Sequence, residues 1–367
     1  MNKKVKEPLF HITKRDTLPW HKSLGIRITA IILALILCGI ITTITTGVNP
    51  LEVYKSLFIG AFGTKRKTWI TLQNISILLL ISLALTPAFK MKFWNIGGEG
   101  QVLIGGLAAA ACMICLGGTL PNALVILCMI IASIAAGMIW AFIPAFFKAK
   151  WNTNETLSTL MMNYIATQLV AFFTIVWEVP KGSGKIGIIN QDSNIGWLPQ
   201  IFGSKYLLSI LVAVIITAFM YIYLKYTKQG YEISVVGESE NTAKYVGIKV
   251  PKVIIRTMML SGAVCGLTGL LLVGGINHTV TTTIAGGQGF TAVMVSWMSK
   301  FNPLIMVLSS ALIIFMERGA GEISTTFGLN QSYSDILTGI ILFFLIGCEF
   351  FISYKIQSCK NTQKGGN

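Results

Sequence analysis

Acidic side chains are scarce in this chain: 14 Asp and Glu stand against 29 Lys and Arg in 367 residues. Histidine is scarcer still. His11, His21 and His278 are scattered, so no metal centre of clustered imidazoles is written here. No G-x-x-x-x-G-K-[ST] phosphate loop exists; the one Gly-Lys pair, Gly184-Lys185, runs into Ile186. H-E-x-x-H and G-x-S-x-G are missing too, which removes the usual signatures of zinc and serine hydrolases. Basic residues interleaved with aromatic platforms on a soluble surface are absent, and with them a nucleic-acid interface. Six of the seven cysteines (Cys38, Cys112, Cys115, Cys128, Cys265, Cys348) lie in apolar runs, with Cys359 near the end. The Cys112-x-x-Cys115 spacing falls among alanines with no cation nearby to favour a thiolate, so these thiols read as packing residues.

What the chain does have is apolar length. It is 53% hydrophobic, 12% charged, with mean hydropathy +0.70, a balance that belongs in a bilayer. About 20 apolar residues cross the hydrocarbon core as a helix, and ten runs qualify as candidates: 24–46, 69–89, 102–117, 124–147, 155–177, 206–224, 257–276, 288–299, 303–317 and 334–354. The third and eighth are short, as half-helices or re-entrant segments would be. The expected fold is an all-α polytopic membrane protein of about ten transmembrane helices. Residues 1–23 and 355–367 form polar tails around a single membrane domain, 24–354, with halves near 24–177 and 206–354. Most Lys and Arg fall in segments that share a side if both termini are cytoplasmic, the positive-inside pattern of a multi-pass plasma-membrane protein. The first apolar run is full length with no small-residue cleavage site behind it, so it reads as a retained span.

Glycine-rich breaks interrupt this pattern twice. Phe93-Trp94-Asn95-Ile96-Gly97-Gly98-Glu99-Gly100-Gln101 returns in altered form as Ala285-Gly286-Gly287-Gln288-Gly289-Phe290. Each follows the second apolar run of its half. Five runs per half is an odd number, so the repeats are expected to be inverted, with the first break entering from the cytoplasm and the second from outside. Irregular backbone at membrane depth survives only where protein or water satisfies it, which makes such breaks candidates for lining a path. Candidate path residues are Asn74, Trp94, Asn95, Glu99, Gln101, Glu155, Thr159, Asn163, Gln288 and Phe290. Glu155, Thr159, Asn163 and Thr167 recur every four residues, a polar stripe on an apolar helix; it serves either the path or interhelical hydrogen bonding. Glu99 is expected near the start of its own helix, where free amides stabilise a negative charge. Glu232 lies in a solvated segment.

The largest internal polar stretch is 225–256. Ser239 can cap a short helix over about 238–246, with Glu238 and Glu240 at its positive end, Lys244 at its negative end and Gly247 as its stop. Ala243 and Tyr245 complete this candidate docking element.

These residues carry a resemblance. The 93–101 segment is similar to the F-N-I-G-x-E-G-Q of permease subunits of nucleoside-type ABC importers, within the ribose and branched-chain amino acid permease superfamily. Asn154-Glu155-Thr156-Leu157-Ser158-Thr159-Leu160-Met161-Met162-Asn163-Tyr164 resembles that family's N-E-V-I-S-T-L-M-L-N-Y, and 237–248 its cytoplasmic loop. Two departures stand out: Trp94 before Asn95, and the bulky run Val293-Met294-Val295-Ser296-Trp297-Met298. The resemblance implies a translocation subunit with no cofactor of its own. Its implied partners are a second permease subunit in an unequal pair, a cytoplasmic ABC ATPase that binds ATP and Mg, and an extracytoplasmic substrate-binding lipoprotein. The implied cargo is a nucleoside. A permease for ribose-like sugars and an ion-coupled transporter using Glu99 are the alternatives.

Overall fold

The structure, a computed structural model, describes residues 10–15 and 19–358. The remainder of the two expected tails, with Glu7 and Cys359, lies outside the described residues. Two compact units emerge, one of Met1–Lys67 with Phe315–Asn367 and one of Thr68–Ile314. Nine helices among the described residues are long and apolar enough to cross a membrane.

In the first unit, α1 (Trp20–Thr46) lies antiparallel to α13 (Gln331–Ser353). Arg27 meets Glu349 at 2.6 Å at one end, and Tyr333 bonds Thr42 at 3.0 Å near the other. Beyond these helices β1 (Phe10–Lys14) pairs antiparallel with β2 (Tyr354–Ser358), in register from Phe10 opposite Ser358 to Lys14 opposite Tyr354. Hydropathy gave no sign of this pairing. It brings both described chain ends together. A further helix, α2 (Pro50–Phe62), fills the segment between the first two apolar runs. Asn49 caps it by accepting from Leu51 N, Pro50 sits at its first turn, and its Phe58 and Phe62 rings pack on Phe315. Both cap positions are favoured for a helix start.

In the second unit the enclosed helix is α3 (Lys65–Lys90), followed by α4 (Gly98–Leu116), α5 (Asn122–Trp151), α6 (Glu155–Val176), α7 (Leu207–Tyr226) and α10 (Val250–Leu270). Between α7 and α10 come α8 (Lys228–Glu238) and α9 (Glu240–Tyr245); after them come α11 (Gln288–Met298) and α12 (Pro303–Thr326), whose residues from Phe315 onward belong to the first unit. Helices α4, α5 and α10 meet through small residues. A Cβ on Gly266 would overlap the Ser133 carbonyl, and one on Gly137 the Gly262 carbonyl. Lipid tails are as apolar as leucine, so this close backbone approach, and not hydrophobic burial, holds the three together. The last turns of α10 widen into a π-helical stretch, Leu271–Asn277.

The third expected span is a full helix, since Gly98 and Gly100 both join its first turn and extend it to 19 residues. The eighth is short as expected: α11 has 11 residues, about 16 Å, half of a core about 30 Å thick. Between α10 with its π-helical end and α12, the stretch 278–302 carries only this short helix.

The loop 177–206 closes over one end of this unit. Ile189 N donates to His278 O, Leu198 N to Gly274 O and Gly196 N to Asn122 Oδ1, at 2.8–2.9 Å. The Trp197 and His278 rings stack at 3.8 Å.

Candidate functional site

Chain leaving α3 turns at Lys92, which has φ 60°, and runs back as residues 93–97 before α4 begins. Asn95 organises this break. It is fully buried; its Oδ1 accepts from Gly97 N (3.0 Å) and Gln101 Nε2 (3.3 Å), and its Nδ2 donates to Ser261 Oγ on α10 (3.1 Å). Helix α6 clamps the other flank. Thr159 Oγ1 accepts from Ile96 N (3.2 Å), Asn163 Nδ2 donates to Ile96 O (2.9 Å), and Asn163 Oδ1 accepts from Gly100 N (2.8 Å). The polar stripe of α6 therefore satisfies backbone groups that the break strands away from water.

Glu99 joins this break to the second one. Its Oε1 accepts from Gly287 N at 2.9 Å and its Oε2 from Gly289 N at 2.7 Å. Glu99 lies in the first turn of α4 as expected, but the amides that its carboxylate meets belong to the start of α11, 190 residues away. Free amides and the dipole at a helix N-terminus both favour an anion there. At Gly289 a Cβ would overlap the Glu99 backbone, so glycine lets the two helix starts touch. Gly287, at φ 74°, turns the chain into α11.

Below this junction lies a cluster of four rings. Trp94 and Trp297 stack at 5.3 Å and 25°; Phe89 stands edge-on to both, at 6.0 and 6.2 Å, and Phe301 edge-on to Trp297 at 5.2 Å. Both Trp side chains keep open faces, as does Phe290. The two sequence departures, Trp94 and the run containing Trp297, are thus one contact. Sequence reasoning marked the run containing Trp297 as a departure without naming Trp297 a path candidate, and Ser261 carried no signal.

The structure brings Asn95, Glu99, Gln101, Thr159, Asn163 and Gln288 into one neighbourhood. Gln101 Oε1 and Gln288 Oε1 are buried there without a hydrogen-bond partner among the described residues. Two candidates lie elsewhere. Asn74 is half-buried on α3, 11 residues from Leu85, the residue that touches Gly98, which is about 16 Å along the helix. Glu155 pairs with Lys148 at 2.9 Å at the start of α6.

At that same end sit α8 and α9. Ser239 Oγ accepts from Thr242 N at 3.2 Å, which starts α9 as expected, and Gly247 follows with φ 82°. Helix α9 spans Glu240–Tyr245, inside the expected 238–246, and α8 ahead of it is an additional helix. Ala243 is buried; Glu238, Glu240, Lys244 and Tyr245 are exposed, Tyr245 at 92%. A Cβ on Gly237 would overlap the Lys90 carbonyl, so the end of α8 is pressed against the chain that enters the first break. Glu232 is not simply solvated: it pairs with Arg256 at 3.0 Å, tying α8 to α10.

Comparison with known proteins gives a consistent result. Residues 69–346 match the family described as branched-chain amino acid transport system / permease component. The chain is similar to the guanosine ABC transporter permease protein NupP of Bacillus subtilis, 29% identical over 342 residues, covering 92% of this chain and 96% of that one. The nucleoside ABC transporter permease protein NupB of Lactococcus lactis subsp. cremoris is 27% identical over 333 residues (88% and 91%). The glucose ABC transporter permease protein of Haloferax volcanii is 25% identical over 353 residues (93% and 92%).

Proposed function

This chain belongs to the branched-chain amino acid transport system / permease component family, and from that premise we propose that it forms the translocation path of an ABC importer for nucleosides. The observation that carries the reading is the junction of the two glycine-rich breaks. Both oxygens of Glu99 are engaged by Gly287 and Gly289, so the junction offers no free charge to a cargo or a coupling ion. What it does hold is amide oxygen on Gln101 and Gln288, buried in this structure with no hydrogen-bond partner among the described residues, and the open faces of Trp94, Trp297 and Phe290. Uncharged hydroxyls and a flat base suit that surface. The polar groups of Asn95, Thr159 and Asn163 hold the break in shape, and Glu155 and Asn74 stand at the two ends of the path.

Both termini and the α8–α9 segment face the cytoplasm in this reading, because Lys90, Lys92, Lys148, Lys150, Lys225, Lys228, Lys244, Lys249 and Lys252 gather around it in the sequence. Helix α9 docks a separate ATPase, which binds ATP and Mg; this chain holds no cofactor. A second permease subunit, different from this one, and an extracytoplasmic substrate-binding lipoprotein complete the assembly. The halves 24–177 and 206–354 act as inverted repeats about the junction. Movement of α9 reaches the first break through Gly237 and Lys90.

The test is co-purification from native membranes followed by an uptake assay with competitors. An ABC ATPase should co-purify, and unlabelled nucleosides should compete while glucose and ribose do not. Competition by the sugars alone would replace the nucleoside reading with a sugar one. Uptake that survives ATP depletion and stops with a collapsed ion gradient would replace both. The docking assignment has its own check. Exchanging Glu238 and Glu240 together for Lys leaves insertion intact, because both are exposed outside the apolar spans. Uptake should fall by about tenfold through weakened association. Wild-type uptake with wild-type ATPase stimulation would reject it.

A further inference from the structure

Helices α1 and α13 leave an open groove of about 810 Å³ between them, lined by Gly25, Thr29, Leu33, Phe343, Gly347 and Phe351 along its length. Its walls are apolar, and its mouth is different: Arg15 and Lys22 border it at the end where the two chain ends emerge. From Lys22 to Leu33 α1 advances 11 residues, about 16 Å, the depth of one leaflet in a core about 30 Å thick. Arg27, also on α1 near this end, is neutralised by Glu349 at 2.6 Å. Neither Arg15 nor Lys22 forms an ion pair among the described residues. A glycine on each helix keeps the groove open. A Cβ at Gly25 or at Gly347 would meet nothing within 4 Å.

We propose that this groove is a binding site for one anionic glycerophospholipid, with its acyl chain between α1 and α13 and its phosphate held by Arg15 and Lys22. An apolar slot one leaflet deep with unpaired positive charge only at the interfacial end matches that molecule in shape and in charge. Long basic side chains at a helix end reach naturally toward the headgroup level. A zwitterionic lipid fits the slot equally well but gains less at the mouth.

The test uses the full-length chain in mild detergent, titrated with phosphatidylglycerol and separately with phosphatidylcholine of the same acyl chains, bound lipid being counted by native mass spectrometry. Phosphatidylglycerol should bind the wild type more tightly. The double variant Arg15→Gln, Lys22→Gln should lose about thirtyfold in phosphatidylglycerol affinity, each basic group near an anionic headgroup being worth roughly fivefold, with phosphatidylcholine unchanged. Gly347→Leu fills the slot and should abolish retention of both lipids, and Gly25→Leu should do the same from the facing helix. Equal affinity for the two lipids in the wild type overturns the proposal, as does an unaltered double variant. A dimeric wild type that Gly347→Leu converts to monomer overturns it as well, because the groove is then an interface between chains. If the leucine variants fail to fold, the charge variant decides alone.

Discussion

Glu99→Gln is expected to reduce ATP-driven uptake by about ten- to a hundredfold. The carboxylate accepts two backbone hydrogen bonds from the start of α11, at 2.9 and 2.7 Å. Bonds to a charged acceptor contribute roughly 1.5–3 kcal/mol, and 1.4 kcal/mol is a factor of ten in population. Glutamine keeps the size but turns an NH2 group toward one of two amide donors, so one bond becomes a repulsion. Asp192→Asn is a suitable control, since Asp192 is an exposed loop residue; Glu232 is not, because of its ion pair with Arg256. Gly289→Ala attacks the same junction by volume instead of charge. Loss of uptake in both variants, at normal expression and with the control intact, identifies the junction as the sensitive element. Wild-type uptake by Glu99→Gln would remove Glu99 from the path.

Gly237→Val is expected to separate ATP hydrolysis from transport. Even a Cβ would overlap the Lys90 carbonyl, so the end of α8 must move away from the segment feeding the first break. Overpacking of this kind costs about 1–3 kcal/mol, borne at the contact that would relay ATPase motion. The assembled variant should still hydrolyse ATP, while uptake per ATP drops about tenfold or more. Gly339→Ala, where a Cβ meets nothing within 4 Å, is the matching control. Normal coupling in Gly237→Val would place the relay elsewhere, and loss of ATPase association would assign Gly237 to docking.

Much of this was legible along the chain because it depends on neighbours in sequence. Hydropathy over about 20 residues locates nine helices, since each must satisfy its own backbone in lipid. Ser239 and Gly247 bound α9 because cap geometry is local. Glycine pairs mark both breaks for the same reason. Helix α2 was passed over because 13 residues are too few to register as a span, and α11 reads correctly as short.

Tertiary structure decided what each polar group is for. Nothing near Glu99 in sequence names Gly287 and Gly289 as its partners, because a carboxylate binds whichever free amides the fold delivers. The α6 stripe had two readings by periodicity, and the hydrogen bonds of Thr159 and Asn163 to Ile96 and Gly100 assign its middle to holding the break. Trp94 and Trp297 were separate oddities until folding stacked them. Residues 10–14 and 354–358 pair as strands because the start of α1 and the end of α13 lie side by side. Sequence alone determined where this chain is helical and where it breaks, since those are local matters of hydropathy and backbone preference. Only the folded chain decided which break meets which, because that depends on contacts between residues almost 200 positions apart.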